Sequence, residues 1–534
     1  MSSPKKSLVF LNAVSNYARF AVAILCTVVL TPVVVHSLGA EDYGLWTLVL
    51  CIAGCLELFD FGLTAGAMRF VAQLSGESVA RKNRLVNTLI GASLSITPLV
   101  ALTAVGISYG VTFAENRQTL LWPALVAMMA IRIVMMLPLG VLMGVLFGEH
   151  RIWLINTLRT ASVTVFSIAA FVALQRGHGV MALCSIYAVV YTLEYVIYGL
   201  VALRTTPWLR VNLRFFDKRQ LREVLGFSVS CFTANSSNVV LMRTDPLIVS
   251  AFLSLGAVAF YAIPLRITEQ LFALSKQLIN VFSPLYAQLH GSGRIDSVRA
   301  AYLTCTKLSL GMMIGFVIPA ISFSADALRF WIGEEFAASS IVLSILLTAA
   351  ILRTLQESSA NALAMTGRHY FIARVSVASA VSNVVLSLLG VWAFGLVGVA
   401  FATLLSVAVF GALMTTVVAC REYQIAARSF LRIVVAPIVV PSLVQLAAVF
   451  ALYSVCPPHN MWTLFACGAT SFLCYAAAYL LFSLRPNERA VLRHWFEQLA
   501  SRLSLPMRGS GLIPGVTEAS LSDPAAVTRQ EFKS

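Results

Sequence analysis

Long apolar segments, separated by short polar turns, occupy most of the chain. Each segment has about 20 residues or more, the length that an α-helix needs to cross the hydrocarbon core of a bilayer. We therefore expect an all-α polytopic membrane protein. The pattern predicts about fourteen membrane helices, at residues 10–36, 43–70, 85–109, 120–146, 153–174, 179–203, 226–251, 257–287, 302–323, 340–365, 371–393, 396–420, 433–455 and 461–484.

A repeated pattern relates the two halves of the chain. Residues 31–74 and 245–289 share a proline in the first apolar run, a Ser-Leu-Gly-Ala turn at 37–40 and 254–257, and an Ala-Gln-Leu ending. A repeat on this scale indicates a fold built from two related bundles. Because each half has an even number of spans, we expect parallel repeats, related by an axis along the membrane normal.

The last two spans have no counterpart in the repeat and form an additional helix pair. After them, apolar and basic residues alternate at helical spacing, which predicts an amphipathic helix on the membrane surface. The predicted organisation is an N-terminal six-helix lobe (1–203), a basic cytoplasmic linker (204–225), a C-terminal six-helix lobe (226–420), the additional pair (421–484), the amphipathic cytoplasmic helix (485–505) and a disordered tail (506–534).

Composition agrees with a membrane protein. The chain is 59% hydrophobic and 11% charged, with a mean hydropathy of +0.85, whereas soluble domains are nearer half apolar and a quarter charged. The net charge of +15 suits loops that face an anionic leaflet better than a nucleic-acid partner. The ten cysteines are scattered without metal-ligand spacing, so we expect buried thiols and neither a metal nor a cofactor.

Basic residues are concentrated at one set of helix ends, while the opposite ends carry few and are rich in carboxylates. By the positive-inside rule, both termini lie in the cytoplasm. The first apolar run could resemble a signal peptide, but polar residues interrupt it and its repeat mate is internal. We therefore interpret it as a retained membrane span.

Polar and charged residues inside apolar segments are the candidates for function, because a charge near the bilayer centre costs about 2.5–3.5 kcal/mol on insertion scales. We expect several of them to face a wet central cavity. The candidates for substrate binding are Asn12, Asn16, Arg19, Arg132, Asn235, Asn238, Arg243, Arg266 and Arg353. The candidates for ion coupling are Glu57, Asp60, Asp245, Glu269 and Glu357.

Each candidate also has a purely structural interpretation. Arg353 with Glu357, and Arg266 with Glu269, could be intrahelical ion pairs that neutralise each other. Arg19 could extend its charged end to the membrane surface. The pair of Glu57 and Asp60 could bind a proton or Na⁺, or could neutralise Arg69. Arg132 has no partner on its own helix, which favours a place facing the cavity.

Signals of an enzyme are missing from the sequence. The chain contains no glycine-rich phosphate loop, no nucleophile elbow and no metal constellation. The loops between predicted spans are too short to form a catalytic domain. A transport protein that is not an enzyme is the expected class.

The run SLGAEDYGLWTLVLCIAGCLELFDFGLTAGAMRFVAQL (37–74) resembles the opening of bacterial polysaccharide-export flippases of the O-antigen type, and 254–289 carries the likeness more weakly. These proteins belong to the multidrug/oligosaccharidyl-lipid/polysaccharide (MOP) exporter superfamily, whose folds are MATE-like. The resemblance implies translocation of undecaprenyl-pyrophosphate-linked oligosaccharide across the bacterial inner membrane for surface polysaccharide synthesis. It further implies alternating access through a cationic central cavity, coupled to an ion gradient.

The partners that this resemblance implies are the lipid-linked oligosaccharide, membrane lipids and the polysaccharide polymerase and export machinery. A drug or metabolite/cation antiporter of the same superfamily is the alternative, and it predicts an acidic cavity, for which Glu57, Asp60 and Asp245 are candidates. A non-transporting membrane scaffold in envelope assembly is a second alternative. Charge reversal at Arg132 and Arg353 separates the flippase from the others, because it should abolish surface polysaccharide.

Overall fold

The computed structural model describes residues 6–74, 79–115 and 121–484, and these ranges contain helices and turns but no strands. The predicted amphipathic helix 485–505 and tail 506–534 lie outside the described residues. The helices are α1 Lys6–Leu56, α2 Leu63–Gln73, α3 Val79–Glu115, α4 Leu121–Gly148, α5 Ile152–Gln175, α6 Val180–Thr205, α7 Lys218–Phe252, α8 Leu255–Gly291, α9 Ile295–Ser322, α10 Ser324–Trp331, α11 Ser340–Met365, α12 His369–Ser406, α13 Met414–Glu422, α14 Ala427–Phe430, α15 Ala436–Val455 and α16 Met461–Ala478.

Eleven helical segments of the described ranges are long and apolar enough to cross a membrane. Two of them contain a sharp break at a glycine with positive φ, Gly39 in α1 (φ 77°) and Gly395 in α12 (φ 58°). This backbone conformation is accessible to glycine without the steric penalty of a side chain. Each break falls in a predicted turn, and α7 adds a 35-residue helix, so the arrangement is consistent with fourteen spans.

Several helices extend beyond their predicted spans, and two departures change how the chain is divided into segments. The segment 43–70 is not one continuous helix, because a short 3₁₀ turn at Glu57–Asp60 precedes Phe61 and Gly62, both of which have positive φ. Helix α7 begins at Lys218, inside the predicted linker, where the Asp217 side chain accepts a hydrogen bond from the backbone N–H of Arg219. This N-cap satisfies a backbone N–H in the first turn of the helix and so fixes where α7 begins. Hydropathy alone does not predict such a start.

The described residues form two compact units. The first consists of the chain up to Ile263 together with Ser376–Thr403, and the second of Pro264–Val375 together with the residues from Leu404 onward. These boundaries do not coincide with the halves 1–203 and 226–420, so the two-lobe organisation remains a prediction.

Helix α4 occupies the centre of the first unit. Its glycines at 140, 144 and 148 form a small-residue stripe against α2, and a methyl group added at Gly144 would lie 2.7 Å from the backbone oxygen of Thr64. Such stripes allow membrane helices to approach closely. Leu63 and Val71 of α2 and Leu146 of α4 are fully buried in the same apolar core.

The second unit is built around α9, onto which the additional helix pair docks. The hydroxyls of Tyr475 on α16 and of Tyr479, the first residue of the π-helical turn after it, donate to the backbone oxygens of Gly311 (2.7 Å) and Lys307 (3.0 Å). The Gln445 side chain of α15 donates to the backbone oxygen of Gly315 (2.8 Å). The pair without a repeat counterpart is therefore attached by specific polar contacts inside the membrane.

Candidate functional site

The first intramembrane charged cluster centres on Arg132 of α4, whose side chain is 6% exposed. Nη1 and Nη2 of Arg132 both donate to Oε1 of Glu57, each at 3.0 Å. The guanidinium carbon also lies 5.2 Å from the ring centre of Tyr187 and 5.9 Å from that of Tyr191, within cation–π range. One carboxylate and two aromatic faces thus take the place of water around this cation.

The Glu57 side chain is 42% exposed, so the ion pair is open on the carboxylate's side. The break in the helix at Glu57–Asp60 places this side chain opposite α4. Asp60 points elsewhere and accepts hydrogen bonds from the backbone N–H and the hydroxyl of Thr64, the latter at 2.8 Å. Although Glu57 and Asp60 were predicted as one acidic pair, the structure gives them separate partners.

Aromatic side chains hold the tyrosines of this cluster in place. The Tyr187 ring packs against Trp46 (5.4 Å between centres), Phe166 (5.6 Å) and Tyr191 (4.5 Å). These rings come from α1, α5 and α6, so three helices fix the aromatic faces toward Arg132. Fixed groups bind a ligand at a lower entropic cost than mobile ones.

A second cluster in the first unit was not among the predicted candidates. Arg159 of α5 lies 3.8 Å (Nε to Oε1) from the buried Glu194 of α6, which also accepts a 2.6 Å hydrogen bond from the Tyr198 hydroxyl. Arg19 is close enough to Arg159 for the two positive charges to repel each other, and it donates a hydrogen bond to Asn16 Oδ1 (3.3 Å). Arg159 and Glu194 are single charges inside predicted spans five and six, so the criterion that selected Arg132 could have found them.

The third cluster surrounds Asp245 of α7, which is 1% exposed. Its carboxylate accepts hydrogen bonds from three neutral hydroxyls, those of Tyr261 (2.7 Å), Ser387 (3.0 Å) and Thr403 (2.7 Å). Asn383 donates to the Thr403 hydroxyl (3.1 Å), and its own Oδ1 has no hydrogen-bond partner among the described residues. The buried carboxylate and the amide with the unpaired oxygen are thus linked through the Thr403 hydroxyl.

The second unit has its own charged cluster on α8 and α11. Glu357 pairs with Lys276 of α8 at 2.8 Å. Arg353 stacks on Phe272, with 4.2 Å between the guanidinium carbon and the ring centre, and interacts electrostatically with Glu357 and Glu269. Glu357 therefore bridges to the neighbouring helix, beyond the intrahelical pairing considered from the sequence. Arg266, on the same helix as Glu269, is half-buried.

The remaining predicted substrate-binding residues are Asn12, Arg243, Asn235 and Asn238. The Asn12 side chain accepts from the Trp153 backbone N–H (2.8 Å) and donates to the His150 backbone oxygen (3.3 Å), so it fastens the turn between α4 and α5. Arg243 packs closely against Gly54 of α1. A methyl group added at this glycine would lie only 3.2 Å from the Arg243 Nε. The side chains of Asn235 and Asn238 lie outside the described residues. Their assignment to substrate binding remains a prediction.

Comparison with known proteins identifies the class of fold. A lipid II flippase MurJ in an inward closed conformation superposes with a TM-score of 0.69 at 14% identity, over 88% of this chain and 98% of that one. An inward-facing multidrug resistance MATE family transporter of the MOP superfamily gives 0.61 at 14% identity, over 76% and 94%. The chain thus has the multi-pass fold of MurJ and MATE transporters, as predicted.

Sequence comparison gives the family. The profile described as Polysaccharide biosynthesis protein matches residues 9–286, and a MatE profile matches residues 231–389. The chain belongs to the polysaccharide biosynthesis protein family.

Two relatives are similar over most of the chain. A protein named as the low-salt glycan biosynthesis flippase Agl15 of Haloferax volcanii is 22% identical over 381 residues, 70% of this chain and 76% of that protein. A protein named as an O-antigen transporter of Shigella flexneri is 21% identical over 414 residues, 73% of this chain and 92% of that protein. The predicted relationship to O-antigen flippases is confirmed.

Proposed function

We propose that this protein translocates a polyprenyl-pyrophosphate-linked oligosaccharide across the bacterial inner membrane for surface polysaccharide synthesis. The family and two relatives, one named as a glycan biosynthesis flippase and one as an O-antigen transporter, support the substrate class. The observation that carries the proposal is the intramembrane ion pair of Arg132 and Glu57, which has a buried cation and an accessible carboxylate. A pyrophosphate offers the oxygens that an arginine binds by charge-assisted hydrogen bonds.

The ion pair suggests how the substrate is bound. In the absence of substrate, Glu57 neutralises Arg132, which keeps an uncompensated charge out of the bilayer. The pyrophosphate would replace the Glu57 carboxylate. Its oxygens would accept the two hydrogen bonds that Arg132 now donates to Oε1 of Glu57. Glu57, being part-exposed, can turn to water as this happens. The substrate thus takes the place of the Glu57 carboxylate, and Arg132 keeps an anionic partner throughout.

Charge reversal in cells tests the proposal. We expect Arg132→Glu together with Arg353→Glu to reduce surface polysaccharide by at least about tenfold, since each charge-assisted hydrogen bond contributes about 1.5–3 kcal/mol. Arg176→Glu, on the exposed turn after α5, is the matched control and should leave the polysaccharide intact. Normal polysaccharide from a stably expressed double variant would refute a role for these arginines.

We further propose that Asp245 binds the coupling cation, with Na⁺ as the first candidate. Three hydroxyl oxygens contact the carboxylate, and the acceptor oxygen of Asn383 lies in the same cluster. A cation would neutralise a carboxylate whose hydrogen-bond partners, among the described residues, are neutral hydroxyls. The predicted coupling roles of Glu57, Asp60, Glu269 and Glu357 have less support. Glu57, Glu269 and Glu357 each interact with a cationic side chain of the protein, and Asp60 accepts hydrogen bonds from Thr64.

Ion dependence in membrane vesicles tests this assignment. At constant pH, we expect an imposed Na⁺ gradient to accelerate transport by the native protein, and Asp245→Asn to remove the acceleration. Glu41→Gln, a change of the same type at an exposed position, should retain it. If the Asp245→Asn variant still responded to Na⁺ like the native protein, this site would not be the coupling site.

A drug or metabolite/cation antiporter is the second candidate, favoured by the MatE match at residues 231–389. Expression of the protein in drug-sensitive cells separates the two functions. The flippase predicts unchanged resistance and a dependence of surface polysaccharide on the protein, whereas the antiporter predicts the reverse.

A further inference from the structure

The segment between α6 and α7, residues 206–217, is held by side chains of α3. Asn83 Oδ1 accepts from the backbone N–H of Arg210 (2.8 Å), and Asn87 Nδ2 donates to the backbone oxygen of the same residue (2.8 Å). Asn87 Oδ1 accepts from the backbone N–H of Asn212 (2.6 Å). The segment is therefore hydrogen-bonded along its length much as a strand is to its neighbour.

Further contacts fix both ends of the segment. The Thr88 hydroxyl accepts from the backbone N–H of Asp217 (3.0 Å), and Arg151 donates to the backbone oxygen of Thr205 (2.9 Å). The Trp208 indole donates to Glu149 (3.1 Å). A connection that only tethered two bundles would not require this many specific bonds. The backbone is held in one conformation.

The pinned segment and the first turns of α7 present a strongly basic surface. Residues 204–222 contain six cations and a single carboxylate, Asp217, which caps α7. All six cations are exposed: Arg204, Arg210, Arg214, Lys218, Arg219 and Arg222.

Large apolar side chains stand exposed among these cations. Phe215 and Phe216 are each 41% exposed, and Val211 is 48% exposed. Aromatic and basic residues together are typical of segments that lie at the head-group level of a membrane. Here they directly follow α6, which is long and apolar enough to span the bilayer.

We propose that this pinned segment is a binding site for anionic phospholipid head groups. The cations supply charge complementarity to the phosphates, and the phenylalanines insert at the boundary of the acyl chains. Because the backbone is already ordered by Asn83, Asn87 and Thr88, binding requires no ordering of a flexible loop. A soluble acidic protein would match the charge but would leave both phenylalanines without an apolar environment.

Lipid binding by the purified full-length protein tests the proposal. Nanodiscs of phosphatidylcholine with increasing phosphatidylglycerol are compared by hydrogen exchange at the amides of residues 206–222, and bound phosphatidylglycerol is counted by native mass spectrometry. We expect phosphatidylglycerol to protect these amides. Arg210→Gln, Arg214→Gln and Arg222→Gln together should weaken binding by at least about tenfold, since each charge near an anionic surface contributes about a fivefold effect.

Two comparisons separate this site from net charge. Arg421→Gln, Arg428→Gln and Arg432→Gln together remove the same charge from exposed positions in the last turn of α13 and in the segment that leads to α15. This triple variant should weaken binding much less. Asn87→Ala keeps every charge but releases the segment, and should lower affinity several-fold; an unchanged melting temperature in neutral detergent shows that the fold is intact. Phe215→Ser with Phe216→Ser should also weaken binding.

Three results would overturn the proposal. They are equal loss of binding in the two triple variants, full binding by the triple variant at 210, 214 and 222, and protection of these amides by a poly-glutamate peptide but not by phosphatidylglycerol. The last outcome would indicate an acidic protein partner. No substrate is transported in these measurements, so their failure would leave the proposed flippase function untouched.

Discussion

At the scale of residues, the chain stabilises intramembrane charges in two different ways. Arg132 contacts a carboxylate and two aromatic faces, whereas the hydrogen-bond partners of Asp245 in the described part of the chain are neutral hydroxyls. A cation paired with an internal anion can exchange that anion for a substrate. A buried carboxylate among hydroxyls has no cation to balance it and is neutralised when it binds one. The two clusters therefore suit opposite ligands within the first compact unit.

A double-mutant cycle tests the pairing of Arg132 with Glu57. We expect Arg132→Gln and Glu57→Gln each to lower the free energy of unfolding, and the double variant to lose less than the sum. The coupling energy should be about 1 kcal/mol, below that of a fully buried pair because Glu57 is part-exposed. Thermal unfolding in detergent measures it, and additive losses would contradict the pair.

The same pair makes a prediction for binding. Glu57→Gln removes the internal competitor for Arg132, so a pyrophosphate lipid should bind more tightly to this variant. Asp60→Asn, a change next to it that leaves the ion pair intact, should bind as the native protein does. Weaker binding by Glu57→Gln would show that Glu57 is a substrate ligand rather than a substitute for the substrate.

The sequence predicted some of these charged residues but not their partners. The intramembrane position identified Arg132 and Asp245, because each is a charge inside or beside an apolar run. It did not pair Arg132 with Glu57, since that contact depends on the break at Glu57–Asp60 and on the packing of distant helices. The sequence also did not predict Ser387 and Thr403 as partners of Asp245. Serine and threonine hydroxyls can bond to the backbone of their own helix, so they hardly change the hydropathy of an apolar segment.

At the scale of elements, hydropathy located the helices well and their internal breaks less well. The breaks at Gly39 and Gly395 lie in predicted turns, because glycine and polar residues mark them. The break before α2 lies inside an apolar run and was missed. The docking of α16 on α9 was also unpredicted, since tyrosine hydroxyls that bond to backbone oxygens leave the apolar pattern unchanged.

A glycine substitution tests this docking. A side-chain atom added at Gly311 would lie 2.6 Å from the Tyr479 ring, so Gly311→Leu should separate α16 from α9 and lower the yield of folded protein. Gly468→Leu is the matched control, because the space around Gly468 is open. Equal thermal stability of the two variants, measured in detergent, would contradict a tight contact between these helices.

At the scale of the whole molecule, composition and periodicity established the class, and the motif at 37–74 pointed to the family that the comparisons confirm. The two-lobe division and the placement of both termini in the cytoplasm remain predictions. Side-chain surroundings alone could not select a glycan, because an arginine recognises the pyrophosphate and not the sugars attached to it.

The central claim is that this protein moves a pyrophosphate-linked glycolipid by way of intramembrane arginines. Its most direct test is reconstitution in liposomes with a fluorescent polyprenyl-pyrophosphate oligosaccharide, with its appearance in the opposite leaflet measured by a membrane-impermeant quencher. We expect translocation by the native protein and by Arg176→Glu, and at least about a tenfold slower rate for Arg132→Glu. Equal rates for Arg132→Glu and the native protein, or no translocation by the native protein with an imposed Na⁺ or H⁺ gradient, would contradict it.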